Sequence, residues 1–404
     1  MKRILIISPD YEPSYGGIGI HVKNLADELI RQGYPLTLLI GRMKTSAAYK
    51  YPKETLYAVT EDTTERKVVE VYTDFAYFLS KEEQTILSDL EEKDVFDYET
   101  AILNQLFLKG AMAYLEHSED SYRLIHLHDA FISFAAVMLG RYLRIPVIVT
   151  MHSMNSGEGW LVDNVRRYLV NNVDKILCVS DFIRDEILQR FIFRDESKIR
   201  TIHNSVNLTI KNRKNPILTD GEIVFCGRLE EVKGVDQLIR AVSLLPDAYR
   251  ERVRLTIIGT GSTEAGLKGL CEELHVREQT EFTGLISQDQ VLEYYEKAMC
   301  VVLPSRKEAF STAALEAMSR GCCVLASDIG GFTELIRDGE NGFLYEAENV
   351  WELAGRLVYI FEHNEIVNEV GRKAQEMVSE EYLWENTSKK ISGIYEEVSE
   401  IDHI

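Results

Sequence analysis

The chain lacks a long apolar run near its amino terminus. After Met1-Lys2-Arg3 the stretch ILII is four residues long and stops at Ser8-Pro9, far short of a signal or membrane helix. Prolines number only 8 in 404 residues and no tract is of low complexity, so the composition, 45% hydrophobic and 27% charged, is that of a globular chain. Cysteines are few as well: Cys178, Cys226, Cys271, Cys300, Cys322 and Cys323 mostly sit in apolar, strand-like runs without zinc-type spacing. They read as reduced, buried thiols, and the expected compartment is the cytoplasm. Positive charge is scarce, 45 basic against 65 acidic side chains for a net −20. Such a surface repels nucleic acid and anionic lipid, so no nucleic-acid partner is expected and membrane association is at most peripheral. An anionic ligand needs a local cluster of Arg, Lys and backbone N–H groups.

What is present is an alternation. At 404 residues the chain is too long for one ordinary core, and two domains of about 200 residues are expected. ILII (4–7), LTLLI (36–40), LIHL (124–127), PVIVT (146–150) and KILCV (175–179) read as buried parallel strands. Amphipathic stretches separate them, as in HVKNLADELIRQG, where Val22, Leu25, Ala26, Leu29 and Ile30 share a face and Gly33 supplies the stop. A polar segment with Pro216 and Gly221, from about Asn204 to Glu222, reads as an interdomain linker. The alternation then resumes with EIVFCG, VRLTIIGTG, QTEFTG, CVVLPS and CCVLAS, and ends in a helical stretch over 384–398. The fold class is α/β, with two open, doubly wound domains expected to face each other across a cleft.

Ligand-binding residues then belong just after strands. A dinucleotide fingerprint is absent, because Gly259, Gly261 and Gly266 have the wrong spacing, which disfavours hydride transfer. More specific is GRLEEVKG after EIVFC: Arg228 offers a planar fork and Lys233 a mobile point charge, a pair suited to a diphosphate. After CVVLP comes EAFSTAALEAM, with Glu308 before a helix expected to start near Ser311 and Glu316 about one and a half turns into it. The helix start adds free N–H groups and a positive dipole end. Glu316 can accept hydrogen bonds from sugar or ribose hydroxyls, and Glu308 can do the same for another ring. His126, His128 and Asp129 lie close on one strand end and leave a metal site open as an alternative.

The stretch RKEAFSTAALEAMSRGCCVLASDIGGFTELIRDGENGFLY resembles the donor-site signature of the retaining GT-B glycosyltransferases of family 4, relatives of bacterial glycogen synthase. SYGGIGIHVKNLADELIRQGYPLTLL resembles the family's amino-terminal glycine loop and first helix, IHLHDA its strand-end histidine motif, TMHS its active-site histidine loop, TIHNSVN its interdomain stretch and YLWENTSKKISGIYEEV its last helix. Residues 44–120 match nothing specific, as expected of an acceptor region. The resemblance implies an amino-terminal acceptor-side domain over 1–208, with 386–404 crossing back to it, and a donor domain over 209–385.

By the same resemblance Arg228 and Lys233 grip the donor diphosphate, which the Gly16-Gly17 loop approaches. Glu316 holds the ribose. Glu308 and the backbone of Ala309, Phe310, Ser311 and Thr312 hold the transferred sugar, His152 sits near its anomeric carbon, and Leu285 and Ile286 flank the base. The implied reaction is transfer of a hexose-type sugar from a nucleotide sugar, with UDP the expected nucleotide, to an acceptor hydroxyl with retention by front-face attack. No metal and no cofactor are required, the nucleotide sugar being a co-substrate. The acceptor stays open among glycans, lipids, proteins and small molecules. Two other readings are a nucleotide-sugar 2-epimerase of the same architecture and a non-catalytic donor-binding subunit. Two stretches depart from the family pattern: Ala309-Phe310-Ser311 stands where Gly-Phe-Gly is common, and His-Asn-Ser where the linker usually has Pro-Asn-Gly.

Overall fold

A computed structural model describes residues 2–11, 17–42, 56–73, 92–130, 132–154, 160–193, 195–207 and 221–400. The chain divides into two compact units, one of residues 1–203 with 387–404 and one of residues 204–386. The core of the 204–222 linker read from the sequence, 208–220, lies outside the described residues.

The first unit runs β1 (Arg3–Ser8), α1 (Gly17–Arg31), β2 (Leu36–Arg42), β3 (Tyr57–Asp62), β4 (Arg66–Tyr72), α2 (Glu92–His117), β5 (Tyr122–His128), α3 (Ser133–Leu143), β6 (Val147–Met151), α4 (Trp160–Asn172), β7 (Lys175–Cys178), α5 (Asp181–Arg190) and β8 (Ile199–Thr201). Its eight strands are ordered β3-β4-β2-β1-β5-β6-β7-β8. Every residue of β1 is buried, because helices cover both faces of a parallel sheet and leave the strand no polar side. Among the described strands only β3 departs from the expected parallel sheet: it pairs antiparallel with β4 at the edge. On α1 the stripe Val22, Leu25, Ala26 and Leu29 is buried as the periodicity predicts, and Gly33 ends the helix with φ +87°. Ile30 is only half-buried, at the margin of that stripe.

The second unit runs β9 (Glu222–Cys226), α6 (Val235–Ser243), α7 (Asp247–Arg250), β10 (Arg254–Ile258), α8 (Glu264–Glu273), β11 (Thr280–Gly284), α9 (Gln288–Lys297), β12 (Cys300–Leu303), α10 (Thr312–Ser319), β13 (Cys323–Ser327), α11 (Gly330–Leu335), β14 (Phe343–Tyr345), α12 (Val350–Glu362) and α13 (Asn364–Glu381). Its order β11-β10-β9-β12-β13-β14, parallel throughout, is the doubly wound order in which strand sequence reverses between the first and fourth strands. Successive loops at the β9/β12 boundary leave in opposite directions, opening a crevice at the carboxyl ends of those two strands. The last helix, α14 (Trp384–Ser399), starts in the second unit and continues from Thr387 in the first. There Tyr395 and Val398 are buried without exposed surface. Among the described residues no helix is long and apolar enough to cross a membrane. The cysteines are free thiols, five of them buried and Cys226 half-buried.

Candidate active site

Arg228 and Lys233 lie on the loop after β9, and Glu308 and Glu316 follow β12, so the switch point of the second unit receives both motifs. The β9 loop is held in shape by its neighbour. Leu229 N donates to Thr260 O at 2.9 Å and Gly227 N to Ile258 O at 3.0 Å. A Cβ on Gly259 would lie 2.0 Å from Gly227 O, and one on Gly261 2.3 Å from Leu229 O. Those two glycines, which do not form a dinucleotide fingerprint, are there because backbone meets backbone. Arg228 is exposed on this loop, close enough to Glu230 to help hold that carboxyl below its ordinary range, after the larger effect of the Ser262 hydrogen bonds.

Lys233 closes a single 3-10 turn, Glu231–Lys233, followed by Gly234 at φ +63°. Arg306 staples that turn to the β12 loop. Its guanidinium donates to Glu231 O at 2.7 Å and forms a fork with both Asp236 oxygens at 2.9 Å, while its backbone N donates to Val232 O at 2.7 Å. The outcome is that Lys233 Nζ meets Glu308 Oε2 at 2.7 Å, with both side chains mostly buried. Two residues read separately from the sequence, one for diphosphate and one for sugar, are an ion pair here.

Ser311 is the N-cap of α10, its Oγ accepting from Ala314 N at 3.2 Å, and Thr312 is the first helical residue. Phe310 points into the core, 4% exposed and 5.9 Å from the Tyr382 ring, so the loop offers its backbone and not that ring. Gly331 N donates to Glu308 O at 3.0 Å, and a Cβ at Gly331 would lie 2.2 Å from Ala309 O. Glu316 is partly exposed on α10, and desolvation pushes its carboxyl up to about 7. A hydrogen bond from Gln288 and the charge of Arg320 oppose that rise, but Arg320 is itself paired with Glu296 at 3.2 Å. The Gln288 bond also brings the β11–α9 loop beside Glu316; there Leu285 is exposed and Ile286 half-buried.

In the first unit strand order turns between β1 and β5, and histidines gather at that end of the sheet. His128 is the last residue of β5, His152 follows β6, and His21 is buried on α1. Ring centres lie 5.2 Å apart for His21 and His128, 4.6 Å for His21 and His152, and 5.5 Å for His128 and His152. His128 Nδ1 is 3.2 Å from His152 Nε2. Burial, then the neighbouring imidazoles, hold both His128 and His152 well below the usual histidine range. The metal alternative of His126, His128 and Asp129 is corrected by these contacts. Both His126 nitrogens are occupied, by Tyr395 Oη at 2.6 Å and Thr150 Oγ1 at 2.8 Å, and burial lowers its pKa to about 3. Asp129 accepts from Ala130 N and has φ +71°, a conformation rare for a non-glycine residue.

Gly17 opens α1 and is exposed, whereas Gly16 lies outside the described residues. Sequence reasoning passed over Arg306, Asp236, Gly331 and His21. Of these His21 had a visible signal, since it falls four residues before Leu25 on the buried stripe of α1.

Solved structures with this architecture include a glycosyltransferase from Rickettsia africae, which superposes with TM-score 0.67 at 16% identity over 99% of both chains. Sucrose-phosphate synthase from Thermosynechococcus elongatus superposes with TM-score 0.79 at 20% identity over 98% of this chain and 99% of its own. Anabaena HepE in complex with UDP and glucose superposes with TM-score 0.72 at 17% identity over 98% and 100%. The protein has the GT-B fold, two parallel-sheet units of Rossmann type. In sequence it is 27% identical to an uncharacterized glycosyltransferase of Methanocaldococcus jannaschii over 97% of both chains, and 24% identical to glycogen synthase of Mycobacterium tuberculosis over 97% of this chain and 94% of that one. Residues 15–210 match the family model described as Glycosyltransferase Family 4 and residues 207–377 the one described as Glycosyl transferases group 1. The chain belongs to the group 1 glycosyltransferases of family 4 type.

Proposed function

We propose that this glycosyltransferase moves a hexose-type sugar from a nucleotide diphosphate sugar to an acceptor hydroxyl, with retention and without a metal ion. The observation that carries the reading is the meeting of the Arg228–Lys233 loop and the Glu308–Glu316 segment at one switch point, stapled by Arg306. UDP is the favoured nucleotide, supported by HepE, which has been solved with UDP, with UDP and glucose, and with UDP-glucose.

Charge drives the first step. The carbon–oxygen bond to the diphosphate breaks, and the negative charge that grows on the leaving oxygen is met by Arg228, Lys233 and the amino end of α10. A diphosphate competes with Glu308 for Lys233, and the displaced Glu308 carboxylate is then available to sugar hydroxyls. Glu316 accepts from the ribose hydroxyls. The acceptor oxygen attacks from the face of the departing diphosphate, whose oxygen takes the acceptor proton, so no base from the protein is needed. His152 is assigned to the reacting carbon by family likeness. The test is incubation with UDP-, GDP- and ADP-sugars, each with and without a mixture of acceptors, reading nucleotide release and product mass. Acceptor-dependent gain of one sugar supports transfer. An isomerised nucleotide sugar formed without acceptor replaces it with epimerisation.

A further inference from the structure

The three imidazoles at the switch point of the first unit have a further use: we infer that His21, His128 and His152 form a binding site for a borderline-soft divalent cation such as Zn²⁺ or Co²⁺. One nitrogen from each lies within 4.8 Å of the other two. With metal–nitrogen bonds of about 2.0–2.1 Å and tetrahedral angles, ring centres of three ligating imidazoles stand roughly 5 Å apart. The separations here, 5.2, 4.6 and 5.5 Å, already match. His128 Nε2 is buried and has no hydrogen-bond partner among the described residues. The ligands stand on a helix and two strand ends, elements that hold position better than loops.

The imidazoles are also in the right state. A metal takes neutral imidazole, and three imidazoles this close leave a cation as the partner that suits all of them. An ion takes the place of the His128 Nδ1–His152 Nε2 contact, and the shared proton moves to the unpartnered His128 Nε2 or to His152 Nδ1, so no net proton is lost. His126 stays outside the set because Tyr395 and Thr150 occupy both its nitrogens. Entry is open on the side of His152, which is partly exposed whereas His21 and His128 are buried. Three histidine ligands leave a fourth position for water, and the absence of a carboxylate or carbonyl set disfavours Mg²⁺ and Ca²⁺. Where His152 serves transfer as proposed above, an ion here blocks turnover; that consequence rests on the proposed function, while the site does not.

Tag-free full-length protein is titrated with Co²⁺ and read by visible absorption. The expected result is the intense ligand-field spectrum of tetrahedral cobalt saturating at one equivalent, abolished by Zn²⁺ and unaffected by Mg²⁺. His21→Asn, His128→Asn and His152→Asn should each weaken binding at least about tenfold, with His363→Ala, on the surface, as control. Circular dichroism in EDTA identifies folded variants, and His152→Asn, at the exposed ligand, serves if the buried variants do not fold. No one-equivalent spectrum in the wild-type protein, or a spectrum unchanged in the folded variants, overturns the site. Because the readout is absorption, a negative result there is distinct from a failure of the transferase reading.

Discussion

The proposed role of Glu316 ties nucleotide binding to pH in a way that can be worked out in advance. Desolvation raises its carboxyl from the ordinary value to about 7, with Gln288 and Arg320 unable to cancel the effect. In its proposed role as an acceptor of ribose hydroxyls it works best ionised, and the ionised fraction is about nine-tenths at pH 8 and about one-tenth at pH 6. The Kd for a nucleotide sugar, whose esterified diphosphate keeps constant charge over this range, should therefore rise about fivefold to tenfold from pH 8 to pH 6. Stability runs the other way. The folded pKa lies above the unfolded one, so the group's contribution is fully present below the unfolded value and is lost as pH rises through about 7. By pH 8 the ionised carboxylate costs about 1–3 kcal/mol, and Glu316→Gln should raise Tm there and leave it nearly unchanged at pH 4, below the unfolded value. Isothermal titration calorimetry across pH 6 to 8 on wild type and Glu316→Gln gives the first quantity, and thermal unfolding the second. A wild-type Kd that is flat with pH, or a Gln variant with the same slope, refutes the reasoning.

Replacing Arg228 or Lys233 with Ala should lower kcat by about a hundredfold or more, because in the proposed mechanism both act on charge that grows in the transition state; steady-state nucleotide release measures it. Arg306→Ala removes the staple between the Glu231–Lys233 turn and the β12 loop, and should lower turnover at least about tenfold. Circular dichroism unchanged from wild type in that variant separates lost positioning from unfolding. EDTA should leave the transfer rate unchanged in nucleotide-release assays, since in the proposed mechanism protein cations neutralise the leaving group; loss restored by Mg²⁺ or Mn²⁺ would contradict this.

Much of the fold was legible because parallel strands covered on both faces read as short apolar runs, as in RILIIS and CVLAS. The antiparallel edge strand β3 was not: its YAVTED has a largely exposed surface and leaves no such run. In the second unit the positions of Arg228, Lys233, Glu308 and Glu316 after strands could be read from turn residues alone, and Ser311 was recognisable as a helix start. The Lys233–Glu308 ion pair could not, because the two residues are 75 positions apart and meet where the fold joins two loops, with Arg306, an ordinary loop arginine in sequence, as one staple. The histidine cluster was half legible. Alternation on β5 drew attention to His126 and His128, but strand pairing decides that His126 faces Tyr395 and Thr150 while His128 meets His152 and His21. Gly259 and Gly261 show the converse: the glycines were visible, and their cause, a backbone pressed against Gly227 and Leu229, was not.

The proposed reaction is tested most directly by the anomeric configuration of its product. Proton NMR of the new glycosidic linkage, compared with the donor sugar of known anomeric configuration, should show the same configuration as the donor. An inverted linkage would contradict front-face transfer assisted by the departing diphosphate, and with it the roles given to Arg228, Lys233, Glu308 and Glu316.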